Sequence, residues 1–114
     1  MIHWESFVDR DGLVEVVVDH PLGSESSERP SFLYELNCGF VRDTSGEKEQ
    51  QVYIAGVCDP VLAFRGVVVA VIHRKNGRGA PLVVAPEGMH FSKQQIKEQI
   101  YFRERFFDSE IELI

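Results

Sequence analysis

The stretch Gly66-Val67-Val68-Val69-Ala70-Val71-Ile72-His73 decides the fold. It is too short for an apolar helix, is rich in β-branched residues, and stays apolar at odd and even positions alike. A strand of that kind is buried on both faces, as in a closed barrel or beneath a second layer. Downstream, Leu82-Val83-Val84-Ala85 pairs naturally as its return strand, with Asn76-Gly77 in the connecting loop where a positive φ comes cheaply. Upstream, Leu13 to Asp19 reads as a strand ended by Pro21 and Gly23. Phe32 to Val41 reads as a short strand or extended segment broken at Gly39. Gln51 to Val57 reads as a strand stopped by Asp59-Pro60. Five short strands separated by turn residues predict a small antiparallel barrel or sandwich.

The period changes after Phe91. Ser92 and Gln95 form a capping box, and Phe91 is placed to staple onto Ile96. Ile96, Ile100, Phe107 and Ile111 follow the helical repeat, widened by Phe102 and Phe106. This predicts one amphipathic helix reaching the C-terminal residues, with a break near Asp108-Ser109. Its aromatic stripe is read as core, and its charged residues, Glu104 among them, are assigned to other faces.

At 114 residues the chain is sized for one domain, 1–114, burying roughly two-thirds of its unfolded surface. Eighteen Asp and Glu against twelve Lys and Arg leave a net charge of −6. Such a surface repels phosphate backbones, which argues against nucleic acid as a partner. The N-terminal residues lack the basic flank and apolar run of a secretory signal, and no apolar run approaches the ~20 residues of a membrane span. Cys38 and Cys58 have no paired or metal-ligand spacing and read as small apolar residues of a reducing compartment. A cytoplasmic protein without a membrane partner is expected.

The order of segments resembles the soluble, metal-dependent inorganic pyrophosphatase family, in particular its short bacterial members. The resemblance rests on Val18-Asp19-His20-Pro21-Leu22-Gly23-Ser24, Tyr34-Glu35-Leu36-Asn37-Cys38-Gly39-Phe40-Val41, Tyr53 to Val57, Val71 to Arg74, Leu82 to Gly88, and Phe106 to Ile111. The second piece is similar to the family's Tyr-Pro-x-Asn-Tyr-Gly-Tyr-Val/Ile stretch. The resemblance implies a five-stranded OB-like closed barrel with a C-terminal helix, and assembly as a homo-oligomer.

It also implies a carboxylate cluster that binds several Mg²⁺ ions, neutralises pyrophosphate and activates water. Here the sequence departs from the pattern. The family's Asp-Gly-Asp-Pro-x-Asp motif matches Gly46-Glu47-Lys48-Glu49-Gln50-Gln51, so Lys48 and Gln51 stand at Asp positions. The loop from Arg74 to Pro81, where the family carries further carboxylates and a lysine, has no acid at all. Cys38 and Phe40 replace two tyrosines, leaving Tyr34 and Asn37, with Arg29 as a basic neighbour.

Three functional readings follow. The first is a catalytically inactive pyrophosphatase-like protein with no metal cofactor, acting by binding or assembly. The second is an active Mg²⁺-dependent hydrolase of pyrophosphate or a phosphate ester, with Asp43, Glu47 and Glu49 as a rebuilt site. The plainer account of those three acids is a solvated loop. The third is a metal-independent module for a small phosphorylated ligand, using His73, Arg74, Lys75 and Arg78 together with Arg29 and Tyr34. The plainer account of that basic loop is a solvent-facing hairpin turn.

Overall fold

Both faces of the deciding strand are covered, by two different layers. In the computed structural model, which describes residues 4–27, 31–43, 45–75 and 79–114, this strand is β4 (Ala63–Arg74). Val68 and Val71 point into one apolar cluster, while Ala70 and Ile72 point into another. Simple alternation would put 68, 70 and 72 on one face. A register shift between Val68 and Ala70 in the pairing with β5 (Leu82–Ala85) reverses the parity at Val69. β4 thereby contributes to both layers, Val68 and Val71 to the barrel and Ala70 and Ile72 to the helix side.

The other strands are β1 (Val14–His20), β2 (Asn37–Arg42), β3 (Glu49–Ile54) and β6 (Ser109–Leu113). The sheet order is β1-β2-β3-β5-β4-β6, and an added β1–β4 pairing closes the first five strands into a barrel. All pairings are antiparallel except β3–β5. This is a closed, small OB-like barrel with a C-terminal helix, α1 (Lys93–Glu104), and one extra strand.

Val14, Val16, Val52, Ile54, Leu82 and Val84 fill the barrel by strict alternation. Tyr53, Ala55, Val83 and Ala85, their neighbours in sequence, face outward under Ile96, Ile100 and Phe102 of α1. Hence β3 and β5 are buried on both faces, whereas β1 exposes Glu15, Val17 and Asp19. Glu15 lies in solvent, 3.8 Å from Arg65. Residues 4–7 form a single 3₁₀ turn, and Trp4 and Phe7 pack against the barrel cluster. Among the described residues no helix is long and apolar enough to cross a membrane.

Two expectations are corrected. The segment around Gly39 is not broken: β2 runs through it in register with β1 and β3. A Cβ on Gly39 would lie 1.9 Å from the Val17 carbonyl oxygen, so the glycine permits a close strand approach. The helix also stops earlier than its apolar repeat. It ends at Glu104 with Arg105 as C-cap, and residues 109–113 add to β4 as β6. Phe107 and Ile111 therefore lie outside the helix. The N-terminus is as expected: Ser92 Oγ accepts from the Gln95 amide at 3.1 Å, and the Ser92 amide donates to Gln95 Oε1 at 2.8 Å.

Asn37, fully buried, ties two loops to the barrel end. Its Oδ1 accepts from the amides of Leu22 (2.9 Å) and Val61 (3.1 Å), and its Nδ2 donates to the Asp59 carbonyl (2.9 Å). Asn37→Ala would leave these backbone groups without a partner, and it should lower stability by about 3 kcal/mol. Urea unfolding of the variant checks this value.

Candidate functional site

A cleft of about 300 Å³ opens where the end of β1 meets β2, β3 and α1. The β1–β2 pairing is irregular between Val18 and His20, at the strand end that carries Asp19 and His20 into the cleft. Tyr34 forms one wall, with its ring stacked on His20 at 4.5 Å between centroids and 6° between planes. Asp19, Glu49, Gln51 and Arg103 supply the remaining polar groups. Arg103 also hydrogen-bonds the Tyr53 hydroxyl beneath it. Burial pushes the Cys38 thiol in this cleft far above its ordinary pKa, leaving it a neutral thiol. A guanidinium, an imidazole, two carboxylates and an amide thus share one opening.

The acids expected for a rebuilt metal site are placed apart in function. Asp43 Oδ1 accepts from Ser45 Oγ at 2.8 Å and from the amides of Glu47 (3.2 Å) and Lys48 (3.3 Å). It closes the β2–β3 turn, and these bonds, Ser45 foremost, hold its pKa below the ordinary value. Glu49 pairs with Arg42 at 3.1 Å, and Glu47 is exposed on the turn. Mg²⁺ prefers an octahedron of oxygens built on carboxylates. Among the described residues no three His, Cys, Asp or Glu side chains gather to hold a metal. Gln51 lines the cleft together with Arg103.

The basic candidates are also separated. Arg74 is turned inward, its side chain 4% exposed. Its Nε donates to Glu104 Oε1 at 3.0 Å, its Nη2 to Glu104 Oε2 at 2.5 Å, and its guanidinium lies 4.0 Å above the Phe107 ring. Ser109 Oγ (2.9 Å) and the Tyr53 hydroxyl also donate to Glu104. Burial alone would raise the pKa of Glu104. The bonds from Arg74 and Tyr53, with the charge of Arg74, outweigh burial and hold it below its ordinary value. Tyr53 moves the opposite way, raised by burial and by the neighbouring carboxylate. His73 sits 2.9 Å from Glu112 in solvent, and Lys75 is exposed. Tyr34 lies in the cleft, whereas Arg29 and Arg78 fall outside the described residues.

Glu104 is the residue that the helical repeat missed. It was assigned away from the apolar face, yet Ile96, Ile100 and Glu104 are consecutive i, i+4 steps on one buried stripe. An acid completing such a series is the signal of a buried polar partner, here Arg74.

No protein-family profile matches the chain, and no curated protein matches it. Solved structures do. An inorganic pyrophosphatase from Ehrlichia chaffeensis aligns over 96% of this chain and 91% of its own, with a TM-score of 0.65 and 13% identity. One from Coxiella burnetii aligns over 95% and 88%, at 0.59 and 15%. One from Neisseria gonorrhoeae aligns over 88% and 79%, at 0.52 and 17%. At these identities the likeness is one of backbone architecture, and function must be argued from the site. The chain has the fold seen in inorganic pyrophosphatases.

Proposed function

We propose that this is a pyrophosphatase-fold protein without magnesium-dependent hydrolase chemistry, acting by binding or assembly. One observation carries the reading. Of the residues matching the family's aspartate motif and its flank, Asp43 closes a turn and Glu49, which borders the barrel-side cleft, is paired with Arg42, while Gln51 and the cationic Arg103 line the same cleft. Pyrophosphate oxygens repel an attacking hydroxide unless metal ions neutralise them, and the described residues do not assemble ligands for such ions. Assembly into a homo-oligomer in the cytoplasm belongs to the same reading. Val17 and Leu62, 52% and 82% exposed on the barrel side that α1 leaves uncovered, support a face that another copy covers.

Binding of a phosphorylated small molecule without metal has less support. Arg74 is engaged by Glu104 and His73 by Glu112, and in the cleft Asp19 and Glu49 offset Arg103. Calorimetric titration with Mg²⁺ and a thermal-shift series with pyrophosphate test the reading together. No binding heat up to ~10 mM Mg²⁺ and no shift at ~10 mM pyrophosphate are expected, since a ligand at 100 times its Kd stabilises by about 2.7 kcal/mol. Saturable Mg²⁺ binding that raises the melting temperature and disappears in Glu47→Gln/Glu49→Gln contradicts it.

A further inference from the structure

Strand β6 ends the sheet. Among the described residues it pairs with β4 alone, and it borders a groove of about 400 Å³ beside α1. The ladder shows which backbone groups this edge offers. The Lys75 amide donates to the Asp108 carbonyl (2.7 Å) and the Ile114 amide donates to the Val69 carbonyl (3.0 Å). In an antiparallel pair, hydrogen bonding to the neighbour alternates along the strand. Residues 108, 110, 112 and 114 are therefore spent on β4, and Ser109, Ile111 and Leu113 direct their amides and carbonyls outward. An edge with three consecutive outward positions is a template for an added strand.

The surroundings give that strand a chemistry. On the α1 side the groove has an apolar floor of Ile100, Phe107 and Ile111, and a cationic rim of Lys93, Lys97 and Arg105. Three cations on one rim are distinctive in a protein of net charge −6. Glu110, which also borders this groove, and Glu112 occupy the alternate positions of β6 and are exposed and acidic. A second copy docking edge to edge is disfavoured by this arrangement. Antiparallel pairing centred on Ile111 sets Glu110 opposite Glu112 twice, and a slip by two residues, the next register that keeps the outward groups paired, sets a glutamate opposite its own copy.

We propose that the open edge of β6 and the cationic rim of α1 form a strand-addition site for an extended peptide segment of a partner protein. Residues of that segment facing α1 are acidic or apolar, and the alternate residues facing Glu110 and Glu112 are basic. Backbone bonds to Ser109, Ile111 and Leu113 provide attachment, and the two faces provide selection by opposite charge. The inference stands independently of the fate of the metal site.

The test uses the full chain and two synthetic heptapeptides, Lys-Glu-Lys-Val-Lys-Glu-Lys and its charge-swapped counterpart Glu-Lys-Glu-Val-Glu-Lys-Glu, titrated in amide-resolved NMR. The first should bind about tenfold tighter than the second. It should shift the amides of residues 109, 111 and 113 and slow their hydrogen exchange. Lys93→Glu/Lys97→Glu, at two exposed helix positions, should weaken the first peptide by about tenfold with the unbound spectrum otherwise kept. Equal affinity for both peptides, shifts confined to other elements, or unchanged binding by the variant would overturn the proposal. So would slowed exchange at 109, 111 and 113 that grows with protein concentration alone, because that marks a second copy as the occupant.

Discussion

Arg74→Met will lower the unfolding free energy by about 3–5 kcal/mol, because it leaves a buried carboxylate with its principal counter-charge gone. Arg74 and Glu104 are 4% and 6% exposed, joined by a two-point fork that water cannot replace without opening the helix-to-barrel contact. The Tyr53 hydroxyl and Ser109 Oγ converge on the same carboxylate, so the damage extends to three elements. Arg74→Met/Glu104→Leu should recover at least half of the loss, since the double change removes both charges. The residue of the loss is the two hydroxyls left without their acceptor. Urea unfolding of the two single variants and the double variant gives the coupling directly, and additive effects would contradict the geometry.

The same pair sets a pH dependence whose sign is fixed. Glu104 has its pKa held below the ordinary 4.5, so its contribution is complete above about pH 4.5 and is lost as pH falls through its folded value. The stability difference between the native chain and Arg74→Met/Glu104→Leu should therefore narrow on acidification below pH 4.5. Exposed acids such as Asp9 and Asp43, present in both proteins, cancel from that difference. A gap that stays constant down to pH 3 contradicts an ionised Glu104.

Gly39→Ala will destabilise by about 3 kcal/mol or more, although it adds only one methyl group. Its Cβ would sit 1.9 Å from the Val17 oxygen and 2.9 Å from the Val18 Cα, both backbone atoms with no rotamer to yield. Relief requires β1 and β2 to separate at the cleft, breaking ladder bonds next to the bulge. Glu15→Ala, on the exposed face of the partner strand, should change stability by no more than about 0.5 kcal/mol. Equal effects of the two substitutions, read from denaturation midpoints, would show that the close approach is not maintained.

These two sites also mark where the sequence is legible and where it is not. The double-sided strand β4 announces itself because a continuous β-branched run has one physical solution, burial on both faces. Ser92 and Gln95 specify the helix start through local bonds alone. The reversal of parity at Val69 leaves no trace in a run of valines, since every residue there suits either face. Ser109-Glu110-Ile111-Glu112-Leu113 alternates with the period of a strand, yet Ile111 also continues the helical repeat. Pairing with β4 decides between them, and that contact is far away in sequence. Gly39 resembles a strand breaker until the Val17 carbonyl is placed against it. Arg74 looks like a loop cation because its partner is thirty residues away, hidden in the polar positions of a helix.

At the candidate cleft Arg103 has no signal in the motif comparison, because it comes from the helix and enters the cleft only through folding. The central claim concerns that cleft, namely that it does not perform metal-assisted phosphoryl transfer. The most direct measurement is phosphate release from pyrophosphate by the purified full chain in millimolar Mg²⁺, and in parallel Mn²⁺, at neutral pH. The account predicts release at the rate of the protein-free control. Multiple turnovers that track the protein through purification and are abolished by Glu47→Gln/Glu49→Gln would contradict it.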